Sequence, residues 1–162
     1  MTTTPPALKI GIAGLGRLGQ RHAEALAFRT RHCELVAACS PVASERAYAG
    51  EQLGVARLYD DFDALIADPD VDAVVLVTPT SLHADQTIAA LQAGKHVFVE
   101  KPLALNVEDC ERVLAVAARH PDQVAMVGFV RRFYPSYLSA QGNIAAGDIA
   151  RPYLVRSHTC DR

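Results

Sequence analysis

Leu8-Lys9-Ile10-Gly11-Ile12-Ala13-Gly14-Leu15-Gly16-Arg17-Leu18-Gly19 is the stretch that decides the fold. Its first six residues are an apolar run of strand length. From Arg17 onward, apolar residues recur at Leu18, Ala23, Ala25, Leu26 and Phe28, as on one face of a helix ending near Phe28. Between strand and helix lies the pattern G-x-G-x-x-G, at Gly14, Gly16 and Gly19. The glycines there serve separate ends, which are a tight turn, close backbone approach to a pyrophosphate, and close helix–strand packing. The backbone N–H groups of Leu15, Gly16, Arg17 and Leu18 belong to the same helix start, where partial positive charge favours an anion. The context points to a dinucleotide cradle, with Arg17 as a helper or a solvated helix-end residue.

Further along, the pattern repeats. Glu34–Cys39 is a second apolar strand, and a helix over 43–53 stops at Gly54. Asp61–Ala67 makes a short helical turn. Ala73–Val77 is a continuous β-rich run of the kind buried on both faces. Ser81 is placed to cap a helix that runs to Ala93, with Gly94 closing it. His96–Val99 is the next strand, Asn106 caps a helix to about Ala118, and 123–127 is a further strand. Strands alternating with helices predict a parallel, doubly wound α/β sheet of Rossmann type over residues 8–130. Residues 1–7 are expected as a disordered tail, lacking the basic stretch and apolar core of a secretory signal. Residues 131–162 are expected to hold a connection with a helix over 134–146. An alternating strand over 151–160 follows, the first of a second substrate domain largely absent from these residues.

Composition narrows the function classes. The 162 residues are 50% apolar with a formal net charge of −2. Such a balance offers no electrostatic footprint for nucleic acid or an anionic membrane. No apolar run approaches the roughly 20 residues of a membrane helix. Cys33, Cys39, Cys110 and Cys160 show no C-x-x-C spacing, so they read as reduced packing cysteines with no metal site, and the expected location is cytoplasmic.

The remaining candidates lie at strand carboxyl ends, where open α/β sheets bind ligands. The second strand ends at Ser40, where an acidic residue usually holds the adenosine ribose. Serine neither chelates a ribose nor repels a 2′-phosphate, which leaves NAD and NADP open and predicts weak discrimination, with NAD slightly favoured. Thr78-Pro79 follows the strongest strand, with His83 in the next helical turn. Pro79 removes an amide and suits a flat ring or ribose. His83 is either a cofactor-side residue or an ordinary cap-region histidine. Glu100-Lys101-Pro102 closes the 96–99 strand. There Val97, Phe98 and Val99 are positioned to desolvate the Lys101 ammonium, which is suited to hydrogen-bond a substrate hydroxyl. The equal alternative is a surface lysine before a proline-started loop. Glu100 is a candidate to orient the ammonium or to be a helix-side partner. Arg131 and Arg132, beside aromatics in 128–133, are candidates for a polar substrate, or else cap helices and face water.

In their order along the chain, these phrases resemble the glucose–fructose oxidoreductase / inositol dehydrogenase / MocA family. The likeness rests on 9–17, Thr78-Pro79 with His83, 93–97 leading into Glu100-Lys101-Pro102, and 128–133, and it leans toward the inositol 2-dehydrogenase branch. It implies a two-domain enzyme of about twice this length that oxidises a secondary hydroxyl of a cyclic polyol or sugar with NAD or NADP. It further implies that Lys101 positions the hydroxyl, that Arg131 lies near the substrate, and that an Asp-x-x-x-His acid/base motif belongs to a second domain. Ser40, and Tyr134 in place of a frequent Asp, depart from the family pattern. The expected partners are a small polyol or sugar and, in the full-length form, a second copy of the chain. A non-catalytic dinucleotide-binding module or sensor stays open as the alternative. An S-adenosylmethionine-dependent methyltransferase fits the Glu-Lys-Pro strand end less well.

Overall fold

The computed structural model describes residues 6–156. Pro6 and Ala7 carry no regular structure, and the rest of the expected tail lies outside the described residues. The chain divides into two compact units, Met1–Gly128 and Phe129–Arg162.

The first unit is a six-stranded parallel sheet of order β3-β2-β1-β4-β5-β6. The strands are β1 (Leu8–Ala13), β2 (Cys33–Cys39), β3 (Arg57–Tyr59), β4 (Ala73–Leu76), β5 (His96–Val99) and β6 (Ala125–Val127). The helices between them are α1 (Arg17–Phe28), α2 (Ala43–Leu53), α3 (Phe62–Ala67), α4 (Thr80–Gln92) and α5 (Val107–Ala117). Alternation along the strands sorts side chains into two cores. Ile10, Ile12, Ala73 and Val75 join Leu15, Ala23 and Ala49 beneath α1 and α2. Val74, Leu76, Val97 and Val99 join Leu65, Leu91 and Val116 beneath α3, α4 and α5. Because β4 is central, both of its faces are covered and all four residues are buried. Truncating Leu76 to alanine there costs about 2–5 kcal/mol.

Several local signals work as expected. The Asn106 side chain accepts a hydrogen bond from the Asp109 amide at 2.8 Å, and α2 ends at Gly54. Others need correction. Helix α4 starts at Thr80 with Pro79 at its cap, so Ser81 lies inside the first turn and caps nothing. The reason is that Pro79 already fixes an extended backbone at ψ 140°, and the helix follows directly. Strand β3 has no counterpart among the expected elements. Its three residues, Arg57-Leu58-Tyr59, are too short for a periodic signal and become a strand by pairing with Ala37, Ala38 and Cys39.

The second unit holds a 3₁₀ turn (Val130–Phe133) and a helix, α6 (Pro135–Ala146), close to the expected span of 134–146. Proline at its first position and Gly147 after its end delimit it. The expected strand over 151–160 is not found in 151–156, where alternation has no strand partner to hydrogen-bond; 157–160 lie outside the described residues.

Candidate functional site

The strand order reverses between β1 and β4, and at that switch point a cleft of about 600 Å³ opens at the carboxyl ends of the strands. A volume of this size suits a small molecule or cofactor. The loop 14–19 forms one wall, Ser40 to Glu45 and Asp60–Asp61 another, and Thr78, Pro79, Leu82 and Gln86 a third.

The three glycines have three environments. Gly14 sits at φ +88°, and a Cβ there would lie 2.5 Å from the Val77 carbonyl oxygen. At Gly19 a Cβ would lie 1.9 Å from the Gly14 carbonyl oxygen, so only glycine lets α1 pack on the loop. Gly16 is different: a Cβ there would meet nothing within 4 Å. Its bare backbone faces open space in the cleft wall. The start of α1 also has no side-chain cap and no acidic residue in its first turn. Uncapped amides beside an open glycine suit an anion, which is what a dinucleotide pyrophosphate supplies. Leu15 turns its side chain into the core and is fully buried, whereas Arg17 and Leu18 are exposed and line the cleft.

At the next strand end, Thr78 Oγ1 donates to Gln86 Oε1 at 2.6 Å, locking the Thr78-Pro79 corner onto α4. His83 is placed otherwise than a cofactor contact. It is 2% exposed and lies behind the corner. Its Nε2 is 2.8 Å from the Thr78 carbonyl oxygen and its Nδ1 is 2.8 Å from the Pro102 carbonyl oxygen. The ring thus bridges the β4 end to the β5 end, with both nitrogens taken up by the protein.

Lys101 is exposed after β5, and its peptide bond to Pro102 is cis. The expected surroundings for its ammonium are not found, because Val97 and Val99 face the core under α4 and α5, and Phe98 packs on the opposite face. Glu100 does not hold the Lys101 ammonium either. Its Oε2 accepts from the Lys101 backbone amide at 3.1 Å, and its Oε1 lies 2.9 Å from His22 Nε2 on α1. Arg131 is exposed in the 3₁₀ turn of the second unit.

Ser40 is 1% exposed at the end of β2. Its hydroxyl donates to Glu45 Oε2 at 2.5 Å and accepts from the Val42 amide at 3.1 Å, while Arg46 Nη1 donates to its carbonyl oxygen at 2.6 Å. The Cys39 thiol next to it is pushed up to about 11, first by burial and then by the Asp61 and Asp60 carboxylates, with Arg46 opposing. It therefore stays protonated at neutral pH, in keeping with a packing cysteine. Among the described residues no group of three His, Cys, Asp or Glu side chains is placed to hold a metal ion. No described helix is long and apolar enough to cross a membrane.

Residues 8–129 match the GFO/IDH/MocA oxidoreductase family, described as an NAD-binding Rossmann fold. The chain belongs to this family. A scyllo-inositol 2-dehydrogenase (NAD(+)) of Bacillus subtilis is 36% identical over 155 residues, which are 96% of this chain and 45% of that protein. A 4-carboxy-2-hydroxymuconate-6-semialdehyde dehydrogenase of Sphingobium is 38% identical over 143 residues, 88% of this chain and 45% of that protein. The crystal structure of scyllo-inositol dehydrogenase from Lactobacillus casei with bound NAD(H) and scyllo-inositol has a TM-score of 0.86 and 43% identity, covering 89% of this chain and 42% of that one. The chain thus spans under half the length of the curated relatives it matches. Two relatives of near-equal identity carry names with different substrates, so likeness in this region does not fix the substrate.

His22, Glu45 and Gln86 are the site-supporting residues that the sequence did not reveal. Glu45 alone lies near its partner in sequence, in the first turn of the helix that follows Ser40. His22 and Glu100 are 78 residues apart and left no signal.

Proposed function

We propose that this chain is the cofactor-binding part of a dehydrogenase that oxidises a secondary hydroxyl of a cyclic polyol or sugar, an inositol in the first instance, using a nicotinamide dinucleotide. Gly16 carries the reading, because its backbone alone in the glycine turn faces open cleft beside uncapped helix amides. In this reading residues 8–130 bind the cofactor, and 131–162 connect to a second, substrate-binding domain. A homo-oligomer in the cytoplasm completes the proposal for the full-length protein.

Leu15, Gly16, Arg17 and Leu18 hold the pyrophosphate through backbone amides at the start of α1, with Arg17 adding charge. Thr78 and Pro79 form the wall nearer the nicotinamide, backed by His83. A nicotinamide dinucleotide held there would supply the acceptor for the hydride of the carbinol carbon. Lys101 donates a hydrogen bond to the hydroxyl oxygen and stabilises the negative charge that develops there. Glu100 fixes the Lys101 backbone, and Arg131 contacts the polyol. Support for the polyol class comes from the inositol-named relatives and from the scyllo-inositol held in the Lactobacillus casei structure.

The test is a titration with NADH. The sequence has no tryptophan, so the emission of the reduced nicotinamide itself is followed. Gly16→Val should leave the fold intact and weaken binding by about 30-fold, or about 2 kcal/mol. Unchanged affinity in a folded Gly16→Val protein rejects the reading.

A further inference from the structure

We propose that Glu45, held at the end of β2 by Ser40, is the residue that reads the adenosine ribose and gives this chain a preference for NAD over NADP. The inference rests on the dinucleotide reading above and adds a specificity residue to it.

Taken alone, Ser40 offers a small neutral hydroxyl where a carboxylate is usual, and predicts little discrimination. In the fold that hydroxyl is already spent. Its proton goes to Glu45 Oε2 and it accepts the Val42 amide, while its backbone N–H donates to the Tyr59 carbonyl oxygen at 3.0 Å. Ser40 is almost fully buried and has no proton left for a ligand. It acts as a bracket that fixes a carboxylate in the first turn of α2. Glu45 lines the cleft and is half-buried, in the first turn of α2, where the helix N-terminus favours negative charge. Its carboxylate makes no other hydrogen bond among the described residues. A carboxylate accepts at two oxygens and donates at neither. Ribose hydroxyls are donors and match it; a phosphate ester is an acceptor and does not.

The rest of this end of the cleft has the same sign. Asp60 and Asp61, just after β3, also line it. Their field is felt at Cys39, where both carboxylates add to burial in holding the thiol protonated. Arg46 is the local cation that a 2′-phosphate would need. Its guanidinium donates to the Ser40 carbonyl oxygen, and it does not line the cleft. Arg17 lines the cleft but belongs to the glycine loop, where the pyrophosphate is held. A 2′-phosphate, carrying a charge of about −1.5 to −2, therefore enters a cleft end lined by the Glu45, Asp60 and Asp61 carboxylates, with Arg46 engaged on the Ser40 carbonyl oxygen.

The experiment compares NADH and NADPH binding to the 162-residue chain by nicotinamide emission, for the wild type and for Glu45→Gln. Glutamine keeps an oxygen for Ser40, removes the charge and turns the second acceptor oxygen into an amide donor. The wild type should bind NADH at least about tenfold tighter than NADPH, equivalent to about 1.4 kcal/mol. Glu45→Gln should bring the two within about threefold, chiefly by tightening NADPH. Circular dichroism checks the fold of the variant. A second arm needs no variant: raising ionic strength from about 0.02 M to about 0.5 M should narrow the wild-type ratio, because salt screens the repulsion. Wild-type affinities within about threefold of each other, or a preference for NADPH, overturn the inference. So does a ratio that neither the substitution nor salt moves. Failure of a folded wild type to bind either nucleotide rejects the dinucleotide reading itself, and this inference with it.

Discussion

His22 Nε2 stands 2.9 Å from Glu100 Oε1, joining the helix of the glycine loop to the strand end that carries Lys101. Both side chains are mostly buried, and the His22 ring also packs on Phe98 with centroids 5.9 Å apart. Because Glu100 Oε2 also accepts from the Lys101 amide, the contact ties the helix that follows the glycine loop to the Lys101 backbone. His22→Ala should destabilise the chain by about 1–2 kcal/mol, in the range of a hydrogen bond to a charged group. Urea unfolding followed by circular dichroism measures it. A midpoint equal to that of the wild type would show that the pairing holds nothing.

His83 makes a different kind of joint. Its two ring nitrogens face the Thr78 and Pro102 carbonyl oxygens. His83→Ala removes the bridge and opens a void where a buried ring stood. The expected loss is about 3 kcal/mol. NADH affinity should fall as well, because the Thr78-Pro79 wall loses its backing. A variant with wild-type stability and affinity would show that the ring is dispensable.

Gly16 and Gly19 should separate binding from folding. Gly19→Ala forces a methyl group onto the Gly14 carbonyl oxygen and should prevent native packing of α1, at a cost above about 3 kcal/mol. Gly16→Ala meets no atom within 4 Å and should melt within a few degrees of the wild type. Thermal melts of the two proteins decide this, and similar melting temperatures would contradict the packing described.

Acid should destabilise the chain through the cluster at the base of β3. Hydrogen bonds from Lys9 and Arg57 hold the Asp70 carboxyl below the usual carboxylate range. Burial pushes Asp68 up, but the Asp70 amide, the Tyr59 hydroxyl and the Arg57 guanidinium outweigh it, and the net shift is downward. A carboxyl lowered in the folded state adds stability that is complete above its unfolded value, near about 4, and is lost as pH falls through the folded value. The urea midpoint should thus fall between about pH 4 and pH 2. Asp70→Asn should flatten that slope and lower stability at about pH 7. Parallel acid slopes for the two proteins would assign the effect elsewhere.

The 162-residue polypeptide should bind NADH without catalysing hydride transfer. Lys101 is a donor to the hydroxyl, and a base to take its proton is also needed within hydrogen-bond reach. His83 and His22 are committed to protein partners, and His96 Nδ1 accepts from the Val124 amide at 2.9 Å. The sequence contains no Asp-x-x-x-His. NADH formation from NAD with myo-inositol or scyllo-inositol should stay below about 0.01 s⁻¹, whereas a rate above about 1 s⁻¹ would place a complete site within these residues.

The doubly wound sheet and the place of the cleft were already specified by the order of residues along the chain. Glycine spacing, the β-rich run at 73–76, and the caps at Gly54 and Asn106 are set by neighbours a few residues away, so they are legible there. What the polar residues do was settled only once the chain had packed. Strand β3 exists because β2 offers it a hydrogen-bonding edge. Lys95, which looks like a surface lysine, is 9% exposed and donates to the carbonyl oxygens of Asp68 and Val71. Ser40 became a bracket for Glu45, Glu100 found His22, and His83 went behind the Thr78-Pro79 corner. Backbone preferences are local, and the hydrophobic period records which face is buried. A hydrogen-bond partner is chosen by whichever group the packed helices and strands bring within about 3 Å, and that choice leaves no mark on either residue's neighbours in sequence.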